Sequence, residues 1–87
     1  NSCNQVFLYA VLPYIRPDIS QGFINSIYKG LKKGGKLVVL NNIKLQENAA
    51  LNLKLIPRSG FRQIEKKLPQ NKDFNENGYM LIIFEKL

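Results

Sequence analysis

Two adjacent glycines, Gly34 and Gly35, separate a helical pattern from an apolar run of strand length. Residues 18 to 33 carry apolar side chains at helical spacing and end on two lysines, which complement the negative end of a helix dipole. Glycine ends helices readily because it adopts the left-handed conformation without steric cost. The sequence therefore predicts a helix that stops at Gly34 and a buried strand over residues 36 to 40.

The segment before this helix predicts a second strand. Residues 5 to 11 form an apolar run without alternation, which is typical of an interior strand buried on both faces. Pro17 stands where a helix begins, and Asp18 or Ser20 would accept hydrogen bonds from the free N–H groups of its first turn. A strand, a helix and a strand in this order predict two parallel strands joined by a right-handed crossover.

The second half of the chain predicts one more helix and two more strands. Ala49, Ala50, Leu51, Leu53 and Leu55 favour a helix that Pro57 and Gly60 terminate. Residues 61 to 68 and 79 to 86 have strand composition, and the segment between them is dense in turn-forming residues. An antiparallel pair is the simplest connection, so the predicted class is α/β.

The charge of the chain leaves two kinds of function open. Thirteen basic residues against six acidic ones give a net charge of +7, which favours acidic partners such as nucleic acid. The basic residues are dispersed, with no run longer than two, and dispersal is more typical of a solvated surface. The single cysteine, Cys3, excludes an intrachain disulfide, and we expect an intracellular, cytoplasmic protein without a membrane span or signal peptide.

Several short motifs resemble the C-terminal half of class I S-adenosylmethionine-dependent methyltransferases. They are VLPYI at 11 to 15, LKKGG at 31 to 35, KLVVL at 36 to 40, SGF at 59 to 61 and YMLIIFEK at 79 to 86. The resemblance covers essentially the whole chain. It implies that residues 1–87 are a single partial domain with a Rossmann-like sheet, in which a parallel strand pair with its crossover helix is followed by a helix and an antiparallel pair.

This resemblance also implies a cleft at the carboxyl ends of the two parallel strands, where open α/β sheets bind ligands. Two tyrosines would form an aromatic wall around the sulfonium of the cofactor, and an asparagine would orient the nucleophile of the substrate. The implied site residues are Asn42 and Tyr14 as catalytic, Leu8, Tyr9 and Ala10 as cofactor-binding, and Pro13 and Asn41 as substrate-binding. No metal site is expected.

The branch of protein N-terminal methyltransferases is similar because it also has an asparagine at the position of Asn42. It differs in having a histidine at the position of Tyr14 and an acidic stretch at the position of residues 43 to 45. The sequence contains no GxGxxG loop for the cofactor. We therefore expect S-adenosylmethionine only in a complete enzyme, whose missing N-terminal half carries that loop, and no activity of the chain alone.

The methyl acceptor is left open among protein, nucleic acid and small molecules. We also expect the unpaired edge of the first strand to make the isolated chain self-associate. The alternative function is a non-catalytic α/β interaction module that binds nucleic acid through its basic surface.

Overall fold

A computed structural model describes residues 3–42, 46–67 and 78–87 of the chain. The elements in chain order are β1 (Cys3–Tyr9), a 3₁₀ turn (Leu12–Tyr14), α1 (Pro17–Gly30), β2 (Leu31–Asn42), α2 (Glu47–Arg58), β3 (Phe61–Lys67) and β4 (Tyr79–Lys86). The four strands form one sheet in the order β1-β2-β4-β3. The predicted α/β class is confirmed.

The strand directions also agree with the sequence analysis. β1 and β2 are parallel, with Phe7 opposite Val38 and Tyr9 opposite Leu40, and α1 connects them. β3 and β4 are antiparallel. β4 lies between β2 and β3 and is antiparallel to both, so the start of β4 reaches the carboxyl end of β2.

Both helices pack against the same face of the sheet, which we call the covered face. Successive side chains of a strand point to opposite faces, so residues opposite one another across the strands share a face. The strand residues of the covered face that belong to the core are Leu8, Leu37, Val39, Met80, Ile82 and Phe84. They form one cluster with Ile24 of α1 and with Ala49 and Ile56 of α2. This cluster supplies the hydrophobic stabilisation of the fold.

The other face of the sheet has no described helix over it, and we call it the open face. The apolar and aromatic residues that alternate with the core positions and so lie on it are Phe7, Tyr9, Val38, Leu40, Tyr79, Leu81 and Ile83. Phe7 is 54% exposed, Tyr9 55% and Tyr79 42%. Large exposed apolar patches mark surfaces that bind another molecule, so this face is of functional interest.

The end of α1 differs from the prediction. The helix ends at Gly30 rather than Gly34, because buried Leu31 turns into an extended conformation and pairs with Cys3 of β1. Lys86 of β4 donates hydrogen bonds to the carbonyl oxygens of Tyr28 (2.6 Å) and Leu31 (2.7 Å), which satisfies the helix end from a distant strand. The predicted C-cap role of the glycine pair is therefore wrong.

The two glycines serve a bulge in β2 instead. The register with β1 shifts between Cys3 and Gln5, and Gly34 has a φ of +81° in the extra segment. A Cβ on Gly35 would lie 2.8 Å from the carbonyl oxygen of Lys32, which is backbone that cannot easily move. Glycine is thus required for left-handed geometry at one position and for close packing at the next.

β1 also differs from the prediction. It is an edge strand, it ends at Tyr9 rather than residue 11, and among its residues only Leu8 is buried. The interior parallel strand is β2, because it lies between β1 and β4. The side chains of β1 alternate between the covered face and the face that has no described helix over it. The predicted burial of this strand on both faces is therefore wrong.

The remaining boundaries are close to the predicted ones. Pro17 opens α1 as expected, but neither predicted cap residue caps it: Arg16 is the N-cap without a side-chain bond, and the Ser20 hydroxyl donates to the Arg16 carbonyl oxygen at 2.9 Å. In α2, Pro57 lies inside the last turn. β4 has the predicted bounds, and β3 is described to Lys67, since the predicted end at residue 68 lies outside the described residues.

Candidate functional site

The carboxyl end of β1 carries the one non-glycine residue with positive φ in the described part of the chain, Ala10, at φ 54°. Its N–H donates to the carbonyl oxygen of Leu40 at 2.7 Å, which extends the parallel pairing by one position. A left-handed residue with a Cβ costs on the order of 1 kcal/mol, and such residues cluster at functional sites. The sharp turn ends the strand immediately after Tyr9 and leaves its ring on the open face.

Tyr9 meets a second tyrosine from a different strand. The rings of Tyr9 and Tyr79 have centroids 5.8 Å apart and planes inclined by 31°. Tyr9 lies opposite Leu40 of β2, and Tyr79 lies opposite Asn42 near the end of the same strand. The two rings therefore meet across β2 and form an aromatic surface at its carboxyl end, with a separation typical of favourable aromatic pairs.

The two hydroxyls are coupled as well. A side-chain hydrogen bond with Tyr9 raises the pKa of Tyr79 above its usual value, because Tyr79 must keep its proton to donate. The negative charge of an ionised Tyr9 and, more weakly, that of Tyr14 add to this increase. Tyr79 is therefore neutral at physiological pH. We call Tyr9, Tyr14, Tyr79 and Asn42 the tyrosine site.

The 3₁₀ turn that carries Pro13 and Tyr14 is fixed by a buried asparagine of α2. The Asn52 amide, which is fully buried, donates to the carbonyl oxygens of Leu12 (3.0 Å), Ile15 (3.2 Å) and Asn48 (2.9 Å). The Asn48 amide donates to the Pro13 carbonyl oxygen at 3.3 Å. These bonds tie buried carbonyls of the turn to α2, and the Leu12 carbonyl oxygen also accepts the N–H of Ile15 at 3.3 Å. They hold Tyr14 at the surface, where 82% of it is exposed.

Asn41 and Asn42 lie on opposite faces of β2. Asn41 is 1% exposed, its amide donates to the Asn42 carbonyl oxygen at 3.2 Å, and its Oδ1 has no partner among the described residues. Asn42 is half-buried, faces the open side and is opposite Tyr79. The predicted substrate-binding Asn41 is therefore separated from the tyrosine site by the sheet itself.

The structure brings some predicted site residues together and separates others. Tyr9, Ala10 and Asn42 meet at the carboxyl ends of the parallel strands, and Tyr14 is near them. Leu8 points to the covered face and belongs to the core. Pro13 is half-buried and tied through its carbonyl to α2. The roles assigned to these seven residues stay predictions.

Two residues of the site region were not anticipated, Tyr79 and Asn52. Tyr79 begins β4. It could have been assigned to the site only if the antiparallel pairing of β4 with β2 had been predicted. The sequence analysis paired the last two strands with each other and left this neighbour of β2 undetermined. Asn52 carries no sequence signal, because a helical asparagine is ordinarily solvated.

Other features of the described residues do not form a metal site or a second deep cleft. Residues 3–42, 46–67 and 78–87 contain no group of three histidine, cysteine or acidic side chains placed to hold a metal ion. A shallow cavity of 290 Å³ lies between Pro17 and the first turns of α2. Neither described helix is long and apolar enough to cross a membrane.

Comparison with known proteins gives a likeness of fold. No family model matches the sequence, and no curated protein matches it. Among solved structures, the N-methyltransferase NodS from Bradyrhizobium japonicum WM9 superimposes with a TM-score of 0.73 over 95% of this chain and 50% of that one, at 15% identity. The structure of NodS in complex with S-adenosyl-l-homocysteine gives the same TM-score at 16% identity, over 95% of this chain and 45% of that one.

The solved structures are about twice as long as the part that this chain matches. It spans 45 to 50% of NodS while almost all of its own length is used. At this identity the match shows the fold and not the chemistry. The chain therefore has the fold of one half of a methyltransferase-like α/β domain.

Proposed function

We propose that this chain is the C-terminal half of an S-adenosylmethionine-dependent methyltransferase domain and forms the substrate side of its cleft. The observation that carries the proposal is the tyrosine site at the carboxyl ends of β1 and β2, on a fold that matches half of NodS. NodS is an N-methyltransferase that has been solved with S-adenosyl-l-homocysteine. Ligands of open α/β sheets bind at this end of the strands.

The residues at this end suit a cofactor whose reactive centre is a sulfonium. The Tyr9 and Tyr79 rings are exposed, and ring faces attract onium cations. Ala10 has a small side chain at a sharp turn, which allows a ligand to approach the backbone. The cofactor would supply an electrophilic methyl group, and we assign Tyr9 and Ala10 to its binding, with Leu8 supporting this strand end from the core.

On the substrate side, Asn42 and Tyr14 would orient the acceptor and Pro13 would shape its pocket. Asn41, on the covered face, would act only indirectly, through its hydrogen bond to the Asn42 carbonyl oxygen. An Asn42 carboxamide at the open end of β2 has both a donor and an acceptor for a substrate amine or amide. Methyl transfer needs the lone pair of the acceptor in line with the bond from carbon to sulfur, and positioning of this kind accelerates a reaction strongly. These roles need no titratable side chain.

The open face and the edge of β1 are where the completing half would pack. β1 carries no charged residue and no proline, although edge strands that stay free are commonly protected by such residues. The adjoining open face exposes Phe7, two residues before the tyrosine site. A polypeptide that adds a strand at the edge and a helix over the face would bury both surfaces. We assign this role to the half that carries the glycine-rich loop, which would hold the rest of the cofactor.

The test starts from the native gene product. Mass spectrometry should find a longer polypeptide, or a copurifying partner, with a glycine-rich loop, and this assembly should bind radiolabelled S-adenosylmethionine while the 87-residue chain alone should not. Asn42→Ala should lower kcat/KM for methyl transfer about tenfold or more, because the acceptor loses its orientation. Asn25→Ala, on the exposed side of α1, is the matched control.

Two results would refute the proposal. One is a complete and stable 87-residue product without such a partner, and the other is an assembly that does not bind the cofactor. The packing surface is tested separately. Phe7→Glu should weaken both the association with the completing half and the self-association of the isolated chain. Ile19→Glu on α1 is the control and should change neither. Light scattering after size exclusion reads out both.

A further inference from the structure

The chain contains two pairs of adjacent lysines, and the fold gives them different surroundings. Lys66 and Lys67 lie in β3, and the ammonium of Lys67 is 3.8 Å from the carboxylate of Glu65. Lys32 and Lys33 lie at the start of β2 and are exposed. Neither forms an ion pair with an acidic side chain in the described part of the chain. The positive charges of this second pair are therefore uncompensated there.

The end of α1 does not account for these two charges. The sequence predicts that Lys32 and Lys33 complement the negative end of the helix dipole, which amounts to about half an elementary charge. In the structure this role belongs to Lys86, whose ammonium donates to the carbonyl oxygens of Tyr28 at 2.6 Å and of Leu31 at 2.7 Å. One ammonium is sufficient for a dipole end of this size, so the lysine pair is left for another role.

The bulge of β2 presents the lysine pair on a compact segment. Residues 32–35 are an excursion of β2 at the point where its register with β1 shifts. A Cβ on Gly35 would lie 2.8 Å from the carbonyl oxygen of Lys32, so the excursion packs closely against itself. The ammonium of Lys36 donates to the carbonyl oxygen of Gly34 at 2.8 Å, which ties the segment to the regular part of the strand. The backbone that carries the two lysines is therefore well fixed.

The charge next to this segment is positive as well. Glu85 is opposite Lys36 and forms ion pairs with Lys36 and Arg62, so one carboxylate lies between two cations. Residues 29 to 36 contain four lysines and no acidic residue. We call these four residues the basic end: Lys29, Lys32, Lys33 and Lys36. It lies at the amino ends of β1 and β2, whereas the tyrosine site lies at their carboxyl ends.

The side chains of the basic end favour one kind of polyanion. Residues 29 to 36 contain no aromatic side chain, and their one apolar side chain, Leu31, is fully buried. Binding to a membrane surface uses exposed apolar side chains beside the cations, and binding to single strands uses aromatic rings that stack on bases. Lysine ammonium groups contact phosphates as point charges, and duplex nucleic acid has the dense row of phosphates that such contacts need.

We propose that the basic end binds the phosphate backbone of duplex nucleic acid, without reading its sequence. Contacts of this kind position a protein on a duplex and carry no base specificity. The surface is separate from the tyrosine site, so the two sites do not compete. The inference goes beyond the proposed function and does not rest on it, because the surface needs neither the cofactor nor the completing half.

The experiment measures binding of the 87-residue chain to short fluorescein-labelled DNA and RNA duplexes by fluorescence anisotropy between about 50 and 200 mM NaCl. The double variant Lys32→Gln, Lys33→Gln should weaken binding at the lowest salt about tenfold or more. It should also reduce the slope of the logarithm of affinity against the logarithm of salt by about 2, because two phosphate contacts are lost. Lys29→Gln should reduce the slope by about 1.

The matched control is the double variant Lys66→Gln, Lys67→Gln, which removes the same charge from the other lysine pair. It should change the slope by less than about 0.5. All four lysines are exposed, so both double variants should stay folded, and thermal melts check this. Duplex binding should shift the NMR signals of backbone amides in residues 29 to 36 more than those of Tyr9 and Tyr79.

Three results would overturn the inference: no binding to either duplex at the lowest salt, equal losses in the two double variants, or shifts concentrated at the tyrosine site. Lysine-dependent binding to phosphatidylserine vesicles or to polyglutamate, without binding to the duplexes, would assign the basic end to a membrane or to an acidic protein instead. The proposed function fails separately, since Lys32→Gln, Lys33→Gln should leave S-adenosylmethionine binding by the complete assembly unchanged.

Discussion

The covered and open faces of the sheet contain similar residue types and have different roles. The covered face has Phe84 at 1% exposure within a cluster that both helices complete. The open face has Phe7 at 54% exposure, beside tyrosines that pair with each other rather than with a core. The hydrophobic effect acts on both faces, but the open face leaves large rings in water, although Val38 in its central strand is buried. The core that stabilises this chain therefore lies on one face, and the exposed aromatic rings lie on the other.

The largest expected effect compares two phenylalanines. Phe84→Ala should lower the free energy of unfolding by about 3–5 kcal/mol, because it removes a fully buried ring from the core. Phe7→Ala should change it by less than about 1 kcal/mol, since the ring is already half in water. Urea unfolding of the isolated chain measures both. Equal losses would mean that the open face is buried in the isolated chain by self-association.

A second comparison concerns two asparagines. Asn52→Ala should cost about 2–3 kcal/mol, because three donated hydrogen bonds are lost and the buried Ile15 carbonyl loses its side-chain donor. Asn25→Ala should cost little, since Asn25 is exposed and accepts a single bond from Gln21. If chemical unfolding of Asn52→Ala showed only a small loss in the free energy of unfolding, the hydrogen bonds from α2 would not be what holds the turn.

Two glycines should respond with opposite sign. Gly35→Ala should destabilise by about 1–3 kcal/mol, because its Cβ would meet the backbone where β2 passes β1. Gly22→Ala, inside α1 with open space around it, should stabilise by about 0.5–1 kcal/mol through helix propensity. Thermal melts of both variants check this, and a stabilising Gly35→Ala would contradict the bulge.

The smallest expected effect is electrostatic and lies on the open face. Glu85 pairs with Lys36 (3.0 Å) and with Arg62, and the hydrogen bond from Lys36 is the largest cause that lowers the pKa of Glu85. Because the pKa of Glu85 is lowered in the fold, its carboxylate stabilises the folded state at pH values above the unfolded pKa of about 4.3. This contribution is lost as the pH falls through the pKa that Glu85 has in the folded state.

Glu85→Gln should therefore lower the Tm by a few degrees at pH 7. The difference from wild type should shrink as the pH falls through the lowered pKa of Glu85 and should disappear in stronger acid. Glu65→Gln, whose carboxylate is more exposed and lies 3.8 Å from Lys67, is the control and should have a smaller effect at pH 7. A difference that persists in acid would mean that the pairs do not stabilise the fold.

The sequence predicted the elements better than their ends. Both helices, all four strands, the parallel pairing of β1 with β2 and the antiparallel pairing of β3 with β4 follow from periodicity and turn residues, which are local properties. The end of α1 did not follow, because its last carbonyls are satisfied by Lys86, a residue more than fifty positions away. The candidate site was predicted in part: Tyr9, Ala10 and Asn42 meet, but Leu8 and Asn41 point to the covered face, since a strand alternates its side chains.

What the sequence by itself determined is the order of elements and the crossover between β1 and β2. Each depends on neighbouring residues along the chain. The tertiary structure alone decided that β4 lies beside β2, and with it the contact between Tyr9 and Tyr79. It also decided which face is open. Pairing between distant strands is a cooperative property of the packed sheet, so no local pattern specifies it.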